Sequence, residues 1–234
     1  MALRLGIDMD GTIADLSGAY HEVERAVFGD RVAAAPTSAD DEEIEEGEQE
    51  EASDDRRALK AARQEAHERD LIWDTIRKTS DFWLSLRPLE PGIVRLLNEE
   101  SVKHGWEIFF LTQRPATAGQ SVQRQTQQWL MREGFEVPSV LTLRGGRGRA
   151  AAALELDVLL DDYAKNCVDV LSESRCKPIL ILRTPSATSE SVAKQLGIGV
   201  SRSVAEAIAM LETPHAANPR PGLVRRILGS IARG

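Results

Sequence analysis

The chain has 234 residues, 42% hydrophobic and 28% charged, with a net charge of −8; this excludes bulk disorder and fibrous classes and fits one domain with an insertion. Its apolar runs fall short of the roughly 18 to 20 residues that cross a bilayer, and no basic leader with a cleavage site opens it, so no transmembrane segment and a cytoplasmic address are expected. The acidity is local, with eleven acids and no base in residues 40–55 (DDEEIEEGEQEEASDD); the mildly basic remainder suits a small anionic ligand but lacks the stripe that nucleic acid requires.

In chain order, residues 3–8 (LRLGID) form a short apolar run that stops at an acid before Gly11, the pattern of a buried strand ending in a functional turn. Residues 16–88 separate this run from the next. A helix is expected over 16–28, then Pro36, the acidic run with a disordered or loosely helical loop over 38–53, and a long helix over 54–79 offering Leu59, Leu71, Ile72, Trp73 and Ile76 for packing. Four further apolar runs, 108–111, 140–143, 158–160 and 179–182, alternate with helical patterns at 91–103, 119–133, 149–155, 164–173 and 187–195, several closed by a glycine such as Gly105, Gly134 or Gly197. This alternation predicts an α/β fold with a doubly wound parallel sheet. The core comprises 1–15 and 89–212, and 16–88 is a helical cap inserted after the first strand. A polar linker and a basic amphipathic helix are expected over 213–234. Cys167 and Cys176 have no metal-ligand spacing, and the histidines at 21, 67, 104 and 215 are scattered.

Ligands of such sheets gather at the carboxyl ends of the strands, and three of the five runs end in Asp8, Thr112 and the pair Asp161/Asp162. In Asp8-Met9-Asp10-Gly11-Thr12 two carboxylates stand two positions apart, so one is placed to attack phosphorus and the other to handle the proton. Gly11 admits phosphate oxygens close to the backbone and Thr12 adds a hydroxyl; Asp15 orients the turn. Magnesium favours hard oxygen ligands and retains waters.

GIDMDGTIADL resembles the first signature of the haloacid dehalogenase superfamily, FFLTQRP the second and DVLLDDYAKN the fourth, in the expected order. Within that superfamily DMDGTIAD, SDFWLSLRPLEPG and LLDD are closest in appearance to the 5'(3')-deoxyribonucleotidase group. The resemblance implies a Rossmann-like core and Mg2+-dependent hydrolysis of a phosphomonoester through an aspartyl-phosphate, with a nucleoside monophosphate as one substrate. Asp8 and Asp10 would be catalytic; Gly11, Thr12, Thr112 and Gln113 would bind phosphate; and Asp8, Asp10, Asp161 and Asp162 would form the metal site, with Asp162 preferred over Asp161. The third signature is a lysine, or sometimes an arginine, and this chain has no lysine between Val140 and Asp162. Arg147 and Arg149 are the candidates to replace it, with Lys165 outside, and arginine presents its charge as a fork instead of a point. Asn166 stands where relatives carry another acid.

Phe82 and Trp83 are candidates to stack on a base, and Arg114 to touch substrate. Simpler roles compete with each of these: Thr112 as a helix N-cap, Asp161/Asp162 as caps, Phe82 and Trp83 as core, Arg114 on a solvated face. The expected partner is a small phosphorylated metabolite, with no nucleic acid and with a homodimer as one assembly. The competing functional reading is a non-catalytic phospholigand-binding or regulatory module that keeps the fold and metal site.

Overall fold

The computed structural model describes residues 2–29 and 50–212, with 50–58 as backbone only. The residues of the expected acidic loop up to 49 and the expected linker and helix over 213–234 lie outside that description.

The sheet is six-stranded and wholly parallel, in the order β3-β2-β1-β4-β5-β6. The strands are β1 (Arg4–Asp8), β2 (Glu107–Thr112), β3 (Ser139–Thr142), β4 (Val158–Asp161), β5 (Lys177–Ile181) and β6 (Gly199–Ser201). Short apolar runs form them because helices cover both faces, so no polar alternation is needed. β1 lies between β2 and β4, with Asp8 opposite Leu111 and Ile7 opposite Leu160. Strand order reverses at β1, which opens a crevice beyond its carboxyl end.

The helices are α1 (Leu16–Phe28), α2 (Glu50–Lys78), α3 (Ile93–His104), α4 (Val122–Arg132), α5 (Arg147–Ala153), α6 (Ala164–Glu173), α7 (Ala187–Leu196) and α8 (Val204–Glu212). α2 begins at Glu50, four residues before the expected helix and inside the segment expected to be disordered or loosely helical. Glutamate is a good helix former, and acids in a first turn favour the positive end of the helix dipole. Among the apolar residues of α2, Ile72 and Ile76 are buried in the same cluster as Leu5 and Ile7, whereas Leu59 and Leu71 are exposed. Trp73 is half-buried against Tyr20 of α1, ring centroids 5.8 Å apart. α4 starts three residues later than the periodicity predicts, because Gly119 has φ +90° and Ser121 caps the helix by accepting from the backbone N–H of Arg124.

At the far end of α3, Glu100 and Glu212 enclose Lys103 and His104, with Lys103 Nζ 2.7 Å from Glu212 and His104 Nε2 3.1 Å from Glu100. This knot ties α8 to α3 and gives His104 charged neighbours that its place in the sequence did not suggest.

Trp129 on α4 is wholly buried, and its indole Nε1 donates to the carbonyl of Leu86 at 2.8 Å, which fastens the chain returning from α2 to the core. Trp129→Ala is expected to cost about 3 to 5 kcal/mol. Trp129→Phe, which only orphans that carbonyl and trims the ring, is expected to cost about 1 to 3 kcal/mol. Urea unfolding checks both, and unchanged midpoints would contradict this anchoring.

Candidate active site

β1 delivers Asp8 to its last position, and the following turn carries the rest of the motif. Gly11 has φ +82°, and a Cβ there would sit 2.0 Å from an oxygen of Asp162, so glycine is required for both conformation and close approach. Thr12 is buried and donates to Asp162 Oδ1 at 3.3 Å. Asp15 caps α1, its carboxylate accepting the backbone N–H of Gly18 at 2.8 Å, while its own N–H donates to Arg87 O at 2.8 Å. The turn is thereby pinned between β1, α1 and the returning chain.

β4 ends one residue beyond the expected run, at Asp161, which is fully buried. Asp161 accepts from Tyr163 N–H at 2.9 Å and from Asn166 Nδ2 at 3.0 and 3.1 Å. Asp162, next in sequence, is exposed. One carboxylate oxygen from each of Asp8, Asp161 and Asp162 lies within 4.8 Å of the others. Asp8 and Asp162, 154 positions apart, therefore share one rim of the sheet. Three hard oxygen donors in this arrangement suit a small divalent cation, and they are the residues placed to hold one.

The cationic side is supplied by two arginines. Arg147, the first residue of α5, is 4% exposed and donates through Nη2 to Asp8 Oδ1. Its Nε lies 3.5 Å from Asp161 Oδ2, yet neither Nε nor Nη1 meets a hydrogen-bond acceptor. Arg149, two residues on and so about 200° around the helix, points away: its side chain is 84% exposed and sits 3.7 Å from Glu173. Lys165 is exposed on α6. Arg114 is buried rather than on a solvated face, and its guanidinium reaches Asp10 at 2.7 to 3.0 Å.

Burial raises Asp8 well above the ordinary carboxylate range, with the charge of Asp161 adding to it and Arg147 opposing. Burial likewise lifts Asp161 to about 6 against the pull of Tyr163 and Asn166. Cys167, behind the site, is raised by burial and by Asp161, which leaves an inert thiol.

A cleft of about 320 Å3 opens over Asp8, Asp10, Arg147 and Asp162. Gln113 lines it and donates to Gly145 O at 2.6 Å. Thr112 closes β2 beneath the cleft, buried, its hydroxyl accepting from Arg114 N–H at 3.4 Å; no helix begins there for it to cap. Neither stacking candidate is open to a base: Phe82 and Trp83 are both buried in the core, 4% and 0% exposed and edge-on to each other at 5.1 Å, with Trp83 backing the cleft from behind.

Sequence reasoning passed over Trp73 and Tyr163 as cleft walls. It also missed Arg183, which donates to Thr12 O at 2.6 Å and to Glu90 at 2.7 Å. Glu90 in turn accepts the first N–H groups of α8 at 2.8 and 3.2 Å. Arg183 lies far from any motif and carries no local signal of such a strut.

No protein-family model and no curated protein matches the sequence. Solved structures do. A haloacid dehalogenase-like family hydrolase from Streptococcus pneumoniae is 11% identical, with 90% of this chain covering 98% of that one at a TM-score of 0.52. A phosphonoacetaldehyde hydrolase-like protein from Oleispira antarctica is 16% identical, with 100% and 95% covered at 0.52. A haloacid dehalogenase family hydrolase from Deinococcus radiodurans, with phosphate and sodium bound, is 11% identical, with 92% and 96% covered at 0.52. At these identities the likeness is one of fold: the protein has the haloacid dehalogenase-like α/β architecture.

An acid whose folded pKa is raised binds its proton more tightly in the folded state, so it lowers stability as pH climbs from its unfolded value to its folded one. For Asp161 that window runs from about 4 to about 6. In chelator, Asp161→Asn is expected to remove on the order of 2 to 3 kcal/mol of the stability that wild type loses across it. Urea melts at both ends of the window measure this; identical pH slopes would contradict the burial of an ionised Asp161.

Proposed function

We propose that the protein is a Mg2+-dependent phosphomonoester hydrolase that works through an aspartyl-phosphate on Asp8. The observation that carries this reading is Arg147. It is a buried guanidinium beside Asp8 with two donor atoms lacking acceptors, at a cleft that also holds Asp10. Buried donors are rarely left unmatched, and a phosphoryl group supplies planar pairs of oxygens that suit arginine.

In this reading Asp8 attacks phosphorus in line while Asp10 protonates the departing oxygen; Asp10 then takes a proton from the water that cleaves the acyl phosphate. Arg147 holds the phosphoryl oxygens, and Gln113 bounds the same pocket. Arg149 is left out of it. Asp8, Asp161 and Asp162, with the carbonyl of Asp10, would hold Mg2+, which when bound screens the charge of nucleophile and phosphate. Helices α1 and α2 act as the cap that selects the leaving group, through Leu16 and Trp73. A nucleoside monophosphate would meet the aromatic side chains of Trp73 and Tyr163, whereas Trp83, 0% exposed and 4.8 Å from ring centroid to the Arg114 guanidinium, leaves no face for a base.

A second reading is a binding module that turns over nothing. It is favoured by the fact that each proposed catalytic acid is already paired with an arginine.

Hydrolysis of p-nitrophenyl phosphate and a nucleotide panel is expected to require Mg2+ and to fall at least about 10³-fold in Asp8→Asn, as losses of a nucleophile do. Equal rates for the two proteins would reject the mechanism. No turnover by wild type, with a phosphorylated ligand raising its melting temperature, would select the binding module.

A further inference from the structure

Arg114 stands in the cleft, yet it offers nothing to a ligand. Its Nε donates to both oxygens of Asp10 at 3.0 Å, Nη2 donates to Oδ1 at 2.7 Å, and Nη1 donates to Thr126 Oγ1 at 3.0 Å. The face of its guanidinium is covered by Trp83 at 4.8 Å, and its side chain is 0% exposed.

The parts that grip Arg114 are themselves fixed. Trp83 Nε1 donates to Pro115 O at 3.1 Å, and Trp83 N–H to Gln125 Oε1 at 3.0 Å. Gln125 in turn donates to Thr117 Oγ1 at 3.0 Å and to Gln120 O at 2.6 Å. A continuous set of contacts therefore runs from α4 and the turn at Phe82–Leu84 through one guanidinium to one carboxylate. Such locking of a rotamer by its surroundings is what a reacting group needs to be held in productive geometry.

We propose that Arg114 is the positioning residue for Asp10 and that the site is built to expel a neutral aliphatic alcohol. The proposal rests on the hydrolase reading and adds to it a substrate class. Asp10 Oδ1 accepts two of these hydrogen bonds and Oδ2 one, so Oδ2 is the less engaged oxygen of the carboxyl group. In the first step the Asp8–phosphorus bond forms, the bond from phosphorus to the leaving oxygen breaks, and the proton on Asp10 passes to that oxygen, releasing an alcohol. In the second, water attacks phosphorus, its proton returns to Asp10, and Asp8 is freed as phosphate departs. An aligned acid accelerates the first step in proportion to the basicity of the leaving oxygen. It matters most for an alkoxide and least for a stabilised phenolate.

The cleft also limits the alcohol's charge. With Arg114 paired to Asp10 and Arg147 to Asp8, the rest of the described lining is Leu16, Trp73, Gln113, Pro115, Tyr163 and Asn166, apart from Trp83 and Asp162. None of these is a cation, so a second phosphate or carboxylate on the leaving group finds no partner.

The experiment compares kcat/KM, which reports the chemistry only through release of the alcohol, for glycerol 2-phosphate and p-nitrophenyl phosphate with Mg2+ present. Arg114→Met and Asp10→Asn are each expected to lose about 10²-fold or more on glycerol 2-phosphate and less than about tenfold on p-nitrophenyl phosphate. Thr126→Val, which removes one grip without touching Asp10, is expected to shift the same ratio by a smaller factor, and it carries the test if Arg114→Met does not fold. Equal losses on the two esters would overturn the proposal, since a phosphate contact or a general structural role would not discriminate leaving groups. A wild type that hydrolyses neither ester would instead sink the hydrolase reading itself.

Discussion

Two carboxylates, Asp8 and Asp161, are held in the interior where the strand order reverses, and one guanidinium holds them there. Bringing like charges together out of water costs several kcal/mol per ion unless an opposite charge is fixed beside them. Arg147, itself 4% exposed, supplies that charge from the first position of α5. Much of the surrounding structure serves this meeting. β1 and β4 are neighbours, so their ends coincide; Gly11 has no side chain to exclude Asp162; Tyr163 N–H and Asn166 keep Asp161 partly satisfied.

The same arrangement explains why the site is both poised and unfinished. The raised proton affinities of Asp8 and Asp161 mean that the folded protein would gain from further positive charge at the rim, and strongly perturbed carboxylates cluster at functional sites. Arg147 meets only part of that demand, since both acids stay raised beside it, and its own Nε and Nη1 stay unmatched. The site is thus short of cations on one side and of acceptors on the other. A divalent ion with a phosphoryl group would answer both shortages together.

Much of this was legible in the sequence. Five strands announced themselves because each is apolar on both faces, and the motif acids stood at their ends. β6 did not, since three residues including a glycine and a serine carry no periodic signal. Asp8, Asp10 and Asp162 line one cleft, while which of Arg147 and Arg149 faces Asp8 needed the helix, whose geometry turns two such neighbours to different faces. Arg114 resisted altogether. An arginine among glutamines reads as solvated, and only a partner 104 positions earlier in the chain makes its burial intelligible. Phe82 and Trp83, adjacent in sequence, both serve the core, and Trp83 is in addition the floor beneath a guanidinium.

Hydrolysis by this route requires Asp8 to become phosphorylated during turnover. Acid-quenched reactions with an alkyl phosphomonoester, reduced with borohydride and mapped by mass spectrometry, locate an acyl phosphate directly. The expected result is homoserine at position 8, absent without substrate. Turnover with an unmodified position 8, or with the label at 161 or 162, would contradict it.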